Sequence, residues 1–118
     1  MVNMSLTGEE NKVLHKVALT IQLLRNVHPT MSAQTAHTFL LCVLNEGASL
    51  TEIVRMSGFK LPTVSRIILD LGLRNRKREP GLGLLVTTTD PHELRKKVIK
   101  LTDKGHTLVR QILAVMKT

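Results

Sequence analysis

Apolar residues recur at helical spacing near the start of the chain, behind a motif that is typical of a helix N-terminus. The residues T-G-E-E at 7–10 form a capping box, in which side chains satisfy the free N–H groups of a first helical turn. An apolar stripe at helical spacing follows, formed by Leu14, Val17, Ile21 and Leu24. Pro29 ends the pattern, because the residue before a proline disfavours helical geometry. We therefore predict a first helix over residues 7–27.

Further helices are predicted along the first two thirds of the chain. Ser32 is expected to cap the second helix and Gly47 to end it. The residues S-L-T-E at 49–52 form another capping box, which opens a short third helix that ends at Gly58, a residue that readily adopts a left-handed turn. Pro62 suits the first position of a fourth helix, where its missing N–H costs nothing. The apolar face of this fourth helix consists of Val64, Ile67, Ile68 and Leu71.

After the fourth helix the sequence becomes strand-like. Residues 84–89 read L-L-V-T-T-T, residues 90–93 read D-P-H-E, and residues 97–101 read K-V-I-K-L, which predicts two strands joined by a turn. Alternation puts apolar residues on both faces of the second strand, so it does not select the buried face. The two faces are Lys96, Val98 and Lys100, and Lys97, Ile99 and Leu101. Thr102 is expected to cap a final helix over residues 103–117.

The predicted order is helix, helix, short helix, turn, helix, hairpin, helix. This is a winged helix–turn–helix, a mainly α fold with a small β-hairpin. We expect one domain over residues 1–118, with an N-terminal helix at 7–31, a central lobe at 32–102 and a C-terminal helix at 103–118. The end helices carry more apolar surface than one small domain can bury, which predicts that they pack against a second copy in a homodimer. Residues 74–83 either extend the fourth helix or form a loop.

Composition narrows the class of protein. A chain of 118 residues with 42% apolar content suits one folded domain with a single core. Phe39 and Phe59 are its only aromatics, which argues against a base-stacking platform for single-stranded nucleic acid. No apolar run has membrane-spanning length and the N-terminus lacks a secretory pattern, so we expect a soluble, cytoplasmic protein. Cys42 is the only cysteine, which excludes an internal disulfide and a multi-thiolate zinc site.

Positive charge is concentrated in one block of the chain. Seventeen Lys and Arg stand against nine Asp and Glu, a formal net charge of +8. Residues 55–104 hold twelve of the basic and five of the acidic residues, a net of +7. Two clusters lie within this block, at 74–78 and at 95–97 with Lys100 following. One cluster alone reads equally well as a solvated face, but two clusters flanking a helix–turn–helix favour a polyanionic partner.

Two segments carry a family resemblance. Residues 49–66, SLTEIVRMSGFKLPTVSR, resemble the helix–turn–helix of MarR-type transcriptional regulators, and residues 90–105, DPHELRKKVIKLTDKG, are similar to that family's wing signature. The signature positions here are Asp90, Arg95, Val98, Leu101, Thr102, Lys104 and Gly105. The resemblance covers residues 32–105. It implies a homodimeric, sequence-specific regulator of transcription that binds duplex DNA, with residues 32–102 as its DNA-binding lobe.

The resemblance and the charge together give a candidate DNA-binding surface. The first turns of a helix in the major groove reach base edges, so Arg66 is a candidate for guanine O6 and N7 or, alternatively, for a phosphate, while Pro62 and Thr63 are candidates for a thymine methyl. By resemblance the wing approaches the minor groove, with Arg95 in or beside it and Asp90 orienting the guanidinium. The other basic residues are expected to meet phosphates. The candidates are Lys60, Pro62, Thr63, Ser65, Arg66, Arg74, Arg76, Lys77, Arg78, Asp90, Arg95, Lys96 and Lys97, with Lys100 as a further phosphate contact.

Other kinds of site have little support in the sequence. There is no Gly-rich phosphate loop, nucleophile elbow or pair of catalytic carboxylates, so we expect neither an enzyme nor a cofactor. The histidines lack metal-binding spacing, and Cys42 lies in an apolar run that favours a buried, inert thiol over a redox sensor. No feature supports a small-molecule effector site. Two other functions stay open, a winged-helix adaptor for an acidic protein and a weakly specific DNA-binding protein in replication or DNA architecture.

Overall fold

The computed structural model describes residues 5–74, 77 and 79–118. This part of the chain forms five α-helices and one antiparallel β-hairpin, which confirms the predicted mainly α fold with a small hairpin. The elements are α1 (Gly8–Val27), α2 (Ala33–Leu44), α3 (Leu50–Ser57), α4 (Leu61–Leu71), β1 (Leu85–Thr89), β2 (Lys97–Leu101) and α5 (Asp103–Met116).

Local capping chemistry sets where the helices begin. Thr7 and Ser49 both form the predicted capping boxes, in which the hydroxyl accepts from the backbone N–H three residues later and a glutamate accepts from the N–H of the cap. Ser32 caps α2 as predicted, since its hydroxyl accepts from the N–H of Thr35. Gly58 ends α3 with φ of +73°, the left-handed conformation that the turn before α4 requires.

The described residues that follow α4, up to Leu84, are not helical. The helix ends at Leu71, Arg74 pairs with Pro80 in an antiparallel bridge, and the N–H of Gly81 donates to the carbonyl of Leu73 at 3.0 Å. The described residues therefore rule out an extension of α4, one of the two alternatives for residues 74–83. The prediction for α2 also needs a small correction, because the helix ends at Leu44, before Gly47.

The hairpin is attached to the helical lobe along one edge. β1 pairs with β2 in the register Leu85 to Leu101, and the other edge of β2 exchanges backbone hydrogen bonds with the α2–α3 connection. There the N–H of Gly47 donates to the carbonyl of Ile99, and the N–H of Ile99 donates to the carbonyl of Ala48, both at 2.8 Å. Val98 and Ile99 are each 3% exposed, so both faces of β2 are covered. This explains why the alternation of side chains along β2 did not identify a single buried face.

The core lies where α2, α3, α4 and the base of the hairpin meet. It is almost entirely aliphatic, as the scarcity of aromatic residues predicts, and its burial supplies most of the driving force for folding. The largest fully buried apolar side chains are Phe39, Ile53, Leu71, Leu84, Leu85 and Val64. Because α4 contributes four buried residues to this core, its remaining faces are fixed relative to the hairpin.

The end helices pack on each other but leave an apolar surface open. The Nζ of Lys16 and the hydroxyl of Thr20 both contact Met116, at 3.4 Å from its carbonyl and 3.6 Å from its sulfur, which places the end of α5 against the middle of α1. Leu24 is the buried residue of α1. A stripe of α1 stays between 44% and 54% exposed, namely Val13, Leu14, Val17 and Ile21, and we call it the α1 stripe.

The run from Thr102 to Gly105 joins α5 to the segment before β1. Thr102 caps α5 and also donates its hydroxyl to the carbonyl of Gly83, and the Nζ of Lys104 donates to the carbonyl of Leu82 at 2.8 Å. Gly105 is buried, and a methyl group on its Cα would collide with the carbonyl oxygen of Leu84. These wing-signature positions therefore have structural roles.

Replacing Gly105 by alanine is expected to destabilise the fold. The added Cβ has no room against the Leu84 backbone, so the variant loses about 1–3 kcal/mol of unfolding free energy in spite of alanine's higher helix propensity. Urea denaturation followed by circular dichroism measures this loss. Gly8→Ala is the matched control, because nothing lies within 4 Å of its new Cβ. A Gly105→Ala variant as stable as the wild type would contradict the packing described here.

Candidate nucleic-acid interface

The first turns of α4 present a polar, cationic face to solvent. Lys60, Pro62 and Arg66 are exposed and Thr63 is half-buried, whereas Val64 and Ile67 point into the core. Proline in the first turn leaves one fewer N–H to satisfy, so the helix begins without a side-chain cap. The side chain of Arg66 makes no ion pair or hydrogen bond with another described residue. Its guanidinium is thus available to an external acceptor.

One candidate of α4 and one of the hairpin line a groove between these two elements. Ser65 and Lys97 line one part of it, with Ile68, Leu69 and Thr87. Ile68, Leu69 and Thr87 also line a second part of the groove, and Arg74 lines that part as well. The structure therefore brings Ser65, Lys97 and Arg74 to one side of α4, although they come from three separate segments of the sequence.

The tip of the hairpin, which we call the wing tip, is a β-turn over residues 93–96. The N–H of Lys96 donates to the carbonyl of Glu93 at 2.9 Å, so Leu94 and Arg95 are the two central residues of the turn. Both are exposed. Arg95 has no ion-pair partner among the described residues, and its charge projects from the end of the hairpin.

In this structure the carboxylate of Asp90 binds two backbone donors. Its Oδ1 accepts hydrogen bonds from the backbone N–H groups of His92 at 2.8 Å and Glu93 at 3.3 Å, and no ion pair with Arg95 occurs in the described part of the chain. The hydrogen bond from His92 lowers the pKa of the Asp90 carboxyl below its ordinary value. The expectation that Asp90 orients the Arg95 guanidinium concerns the DNA-bound protein and stays a prediction. Here the carboxylate of Asp90 caps the turn, because two backbone donors lie closer in sequence than the arginine.

Lys96 differs from the other hairpin lysines because its charge is paired. Its Nζ lies 3.3 Å from Oε1 of Glu52 on α3, and both side chains are a little over one third exposed. The same oxygen accepts from the backbone N–H and hydroxyl of Ser49, and these bonds, followed by the lysine, lower the pKa of Glu52. Lys96 thus ties the hairpin to the capping box of α3. Lys97 and Lys100 are exposed and form no ion pair with another residue that the structure describes.

The basic loop after α4 is described only in part. Arg74 and Lys77 are exposed, and Lys77 has an interaction of its own within the molecule. Arg76 and Arg78 lie outside the described residues. Arg74 lies beyond the C-terminal end of α4, whereas Lys60 is the N-cap of this helix and Arg66 lies in its second turn. These two groups of candidates therefore lie towards opposite ends of the helix.

Cys42 is a buried side chain of the core. It is 2% exposed, and burial raises the pKa of its thiol to about 12, because a thiolate loses its hydration there. The thiol therefore stays protonated at neutral pH and is a poor nucleophile. Within residues 5–74, 77 and 79–118, no three His, Cys, Asp or Glu are placed to hold a metal ion, and no described helix is long and apolar enough to cross a membrane.

The folded protein is expected to resist alkylation at Cys42. At pH 8 we expect iodoacetamide to react at least about 100-fold more slowly with native protein than with protein unfolded in urea, since the native thiolate population is very small. Mass spectrometry of timed, quenched samples follows the single cysteine. Equal rates in the native and unfolded states would show that the thiol is accessible and would contradict its burial.

Two residues of this surface were missed by sequence reasoning. Leu94 is 81% exposed at the wing tip, and the only signal for it was an apolar residue between the predicted turn at 90–93 and the predicted strand at 97–101. Glu52 was recognised as part of a capping box, but its contact with Lys96 joins elements that are distant in sequence. Periodicity contains no information about such a contact.

Comparison with solved structures supports the fold. No protein-family model and no curated protein matches the sequence. A MarR-like transcriptional regulator from Thermotoga maritima is similar at 20% identity and a TM-score of 0.64, over 96% of this chain and 77% of that chain. S. aureus MepR in a complex with DNA is similar at 20% identity and a TM-score of 0.63, over 91% of this chain and 81% of that chain.

A third similar structure is the PcaV transcriptional regulator from Streptomyces coelicolor in complex with its natural ligand. It has 22% identity and a TM-score of 0.53, over 99% of this chain and 79% of that chain. These similarities show that the chain has the winged helix–turn–helix fold of these regulators. The fold implied by the two sequence segments is therefore confirmed.

Proposed function

We propose that this protein is a homodimeric regulator of transcription that binds duplex DNA in the cytoplasm. The observation that carries the proposal is the pair of exposed, unpaired arginines on the described surface, Arg66 in the first turns of α4 and Arg95 at the wing tip. In such a lobe the helix binds in the major groove of the duplex, and the wing contacts the DNA beside it. MepR, which shares the fold, was solved bound to DNA.

The proposed division of labour follows from where each side chain lies. Arg66, with Pro62 and Thr63, faces base edges in the major groove, and Arg95 enters or borders the minor groove, where an A·T-rich sequence gives the most negative potential. The exposed lysines and Arg74 neutralise phosphates, which orients the lobe without reading sequence. They are Lys60, Lys77, Lys97 and Lys100. The main role of Lys96 is its ion pair with Glu52, which attaches the hairpin to α3.

The proposed dimer is built on the α1 stripe. Val13, Leu14, Val17 and Ile21 form a continuous apolar surface on a single chain, and a second copy packed on it would remove that surface from water. In this proposal residues 7–31 and 103–118 make the interface and residues 32–102 form the DNA-binding lobe. A twofold arrangement sets two recognition helices about 34 Å apart, which predicts a pseudo-palindromic site.

Selection from a random duplex library tests the proposal. We expect repeated rounds at two salt concentrations to recover a pseudo-palindromic sequence that the protein binds at least about 1000-fold more tightly than random duplex. A ratio near one would favour the architectural role instead. Binding to no duplex, with retained affinity for an acidic protein after Arg66 and Arg95 are replaced, would favour the adaptor.

A further inference from the structure

At the wing tip an exposed leucine, Leu94, lies next to Arg95, which has no ion-pair partner among the described residues. Leu94 is 81% exposed, the highest value for a large apolar side chain in the described part of the molecule. It precedes Arg95 at the centre of the β-turn over residues 93–96, so the two side chains project from the same two-residue tip. A single exposed leucine is common on protein surfaces, so its position next to Arg95 is the informative feature.

Three sets of interactions hold the wing tip in place. Oδ1 of Asp90 accepts from the N–H groups of His92 and Glu93, and the N–H of Asp90 donates to the carbonyl of Lys96 at 2.8 Å. The side chain of Lys96 is tied to Glu52 on α3 at 3.3 Å. The turn is thereby closed on itself and attached to the helical lobe. A side chain at its centre is presented on a rigid support, which a contact residue needs.

We propose that Leu94 enters the minor groove beside Arg95 and packs against a flexible pyrimidine–purine step, such as TA, which it partly unstacks. The inference rests on the proposed function and adds a residue that selects sequence through deformability of the DNA. Minor-groove proteins use apolar side chains in this way, and pyrimidine–purine steps unstack most easily. Arg95 supplies the attraction to the groove, and Leu94 loses its exposed apolar surface to the bases.

The test uses Leu94→Ala, with Leu44→Ala as its matched control. Leu44 is 77% exposed at the end of α2, away from the wing. On the selected duplex we expect Leu94→Ala to bind about five- to thirtyfold more weakly than wild type at unchanged salt dependence, because no charge is removed. Arg95→Gln should weaken binding and reduce the slope of log K against log salt by about one for each bound subunit. Leu44→Ala should bind as the wild type does.

Fluorescence of 2-aminopurine placed at the step under the wing reports unstacking directly. We expect the signal to rise when wild-type protein or Leu44→Ala binds, and to stay low with Leu94→Ala. If Leu94→Ala binds and unstacks like the wild type while Arg95→Gln is impaired, DNA binding stands and the role of Leu94 is overturned. A loss of dimerisation in Leu94→Ala with normal DNA binding also overturns it. Salt-independent or absent binding by wild-type protein removes the proposed function itself.

Discussion

Replacing Arg66 and Arg95 together by glutamine is expected to lower affinity for the selected duplex by at least about 100-fold. Each arginine is exposed and unpaired among the described residues, so each is free to donate to a base or phosphate acceptor, and such contacts contribute about 1–3 kcal/mol apiece. Fluorescence anisotropy at fixed salt measures the loss. The single variants separate the roles, since Arg66→Gln relaxes selectivity at one base position if Arg66 reads guanine.

The control for this double variant removes the same number of charges elsewhere. Arg25 on α1 and Arg110 on α5 are both exposed and lie on the end helices, so light scattering first checks that the control variant has the same oligomeric state as the wild type. Replacing both by glutamine leaves the formal net charge equal to that of the Arg66, Arg95 variant. If the two double variants bind the duplex equally well, net charge alone explains the affinity, and the proposed surface is not the binding site.

Placing aspartate at Val17 and Ile21 is expected to convert the proposed dimer into monomers. Both side chains lie in the α1 stripe, and each contributes about 1.5–3 kcal/mol when it is fully buried, twice over in a twofold interface. Buried unpaired carboxylates add a further penalty, so dimer dissociation should rise by more than about 100-fold. Light scattering should give 13.2 kDa for the variant and twice that mass for the wild type.

Measuring duplex binding by the Val17 and Ile21 aspartate variant also tests whether the proposed dimer is needed for function. A monomer engages one half-site, so the same variant should also lose affinity for the pseudo-palindromic duplex while it keeps its affinity for a single half-site. Leu44→Asp is the control, because Leu44 is more exposed than either residue but lies outside the stripe. A wild-type protein that scatters as a 13.2 kDa species at micromolar concentration would contradict the proposed dimer.

The helices of this fold follow from the sequence because their signals are local. Thr7 and Ser49 bind donors and acceptors three residues away, and Gly58 adopts its left-handed conformation within one turn. Such features depend on neighbours that the sequence places side by side. The hairpin was predictable for the same reason, since its strands and turn occupy one continuous stretch. The resemblance of residues 49–66 and 90–105 to known regulators identified the same elements.

The attachments of the hairpin were not predictable, because they join distant residues. Glu46 accepts the N–H of Leu101, 55 residues along the chain, and Lys96 reaches Glu52. For Asp90 the family resemblance implied a contact with an arginine, whereas in this structure its carboxylate accepts from the nearby backbone N–H groups of His92 and Glu93. The sequence also does not show which apolar side chains are exposed to solvent. Leu94 and Leu84 are both leucines of the hairpin region, yet one is 81% exposed and the other 0%.

The salt dependence of duplex binding is the most direct test of the claim that the cationic surface of α4 and the hairpin holds a double helix. If about six phosphates are neutralised by each DNA-bound subunit, log K should fall against log salt with a slope of about −5 per subunit. The slope should become shallower by about one for each lysine or arginine of the surface that is replaced. A slope near zero for the wild-type protein would contradict the account.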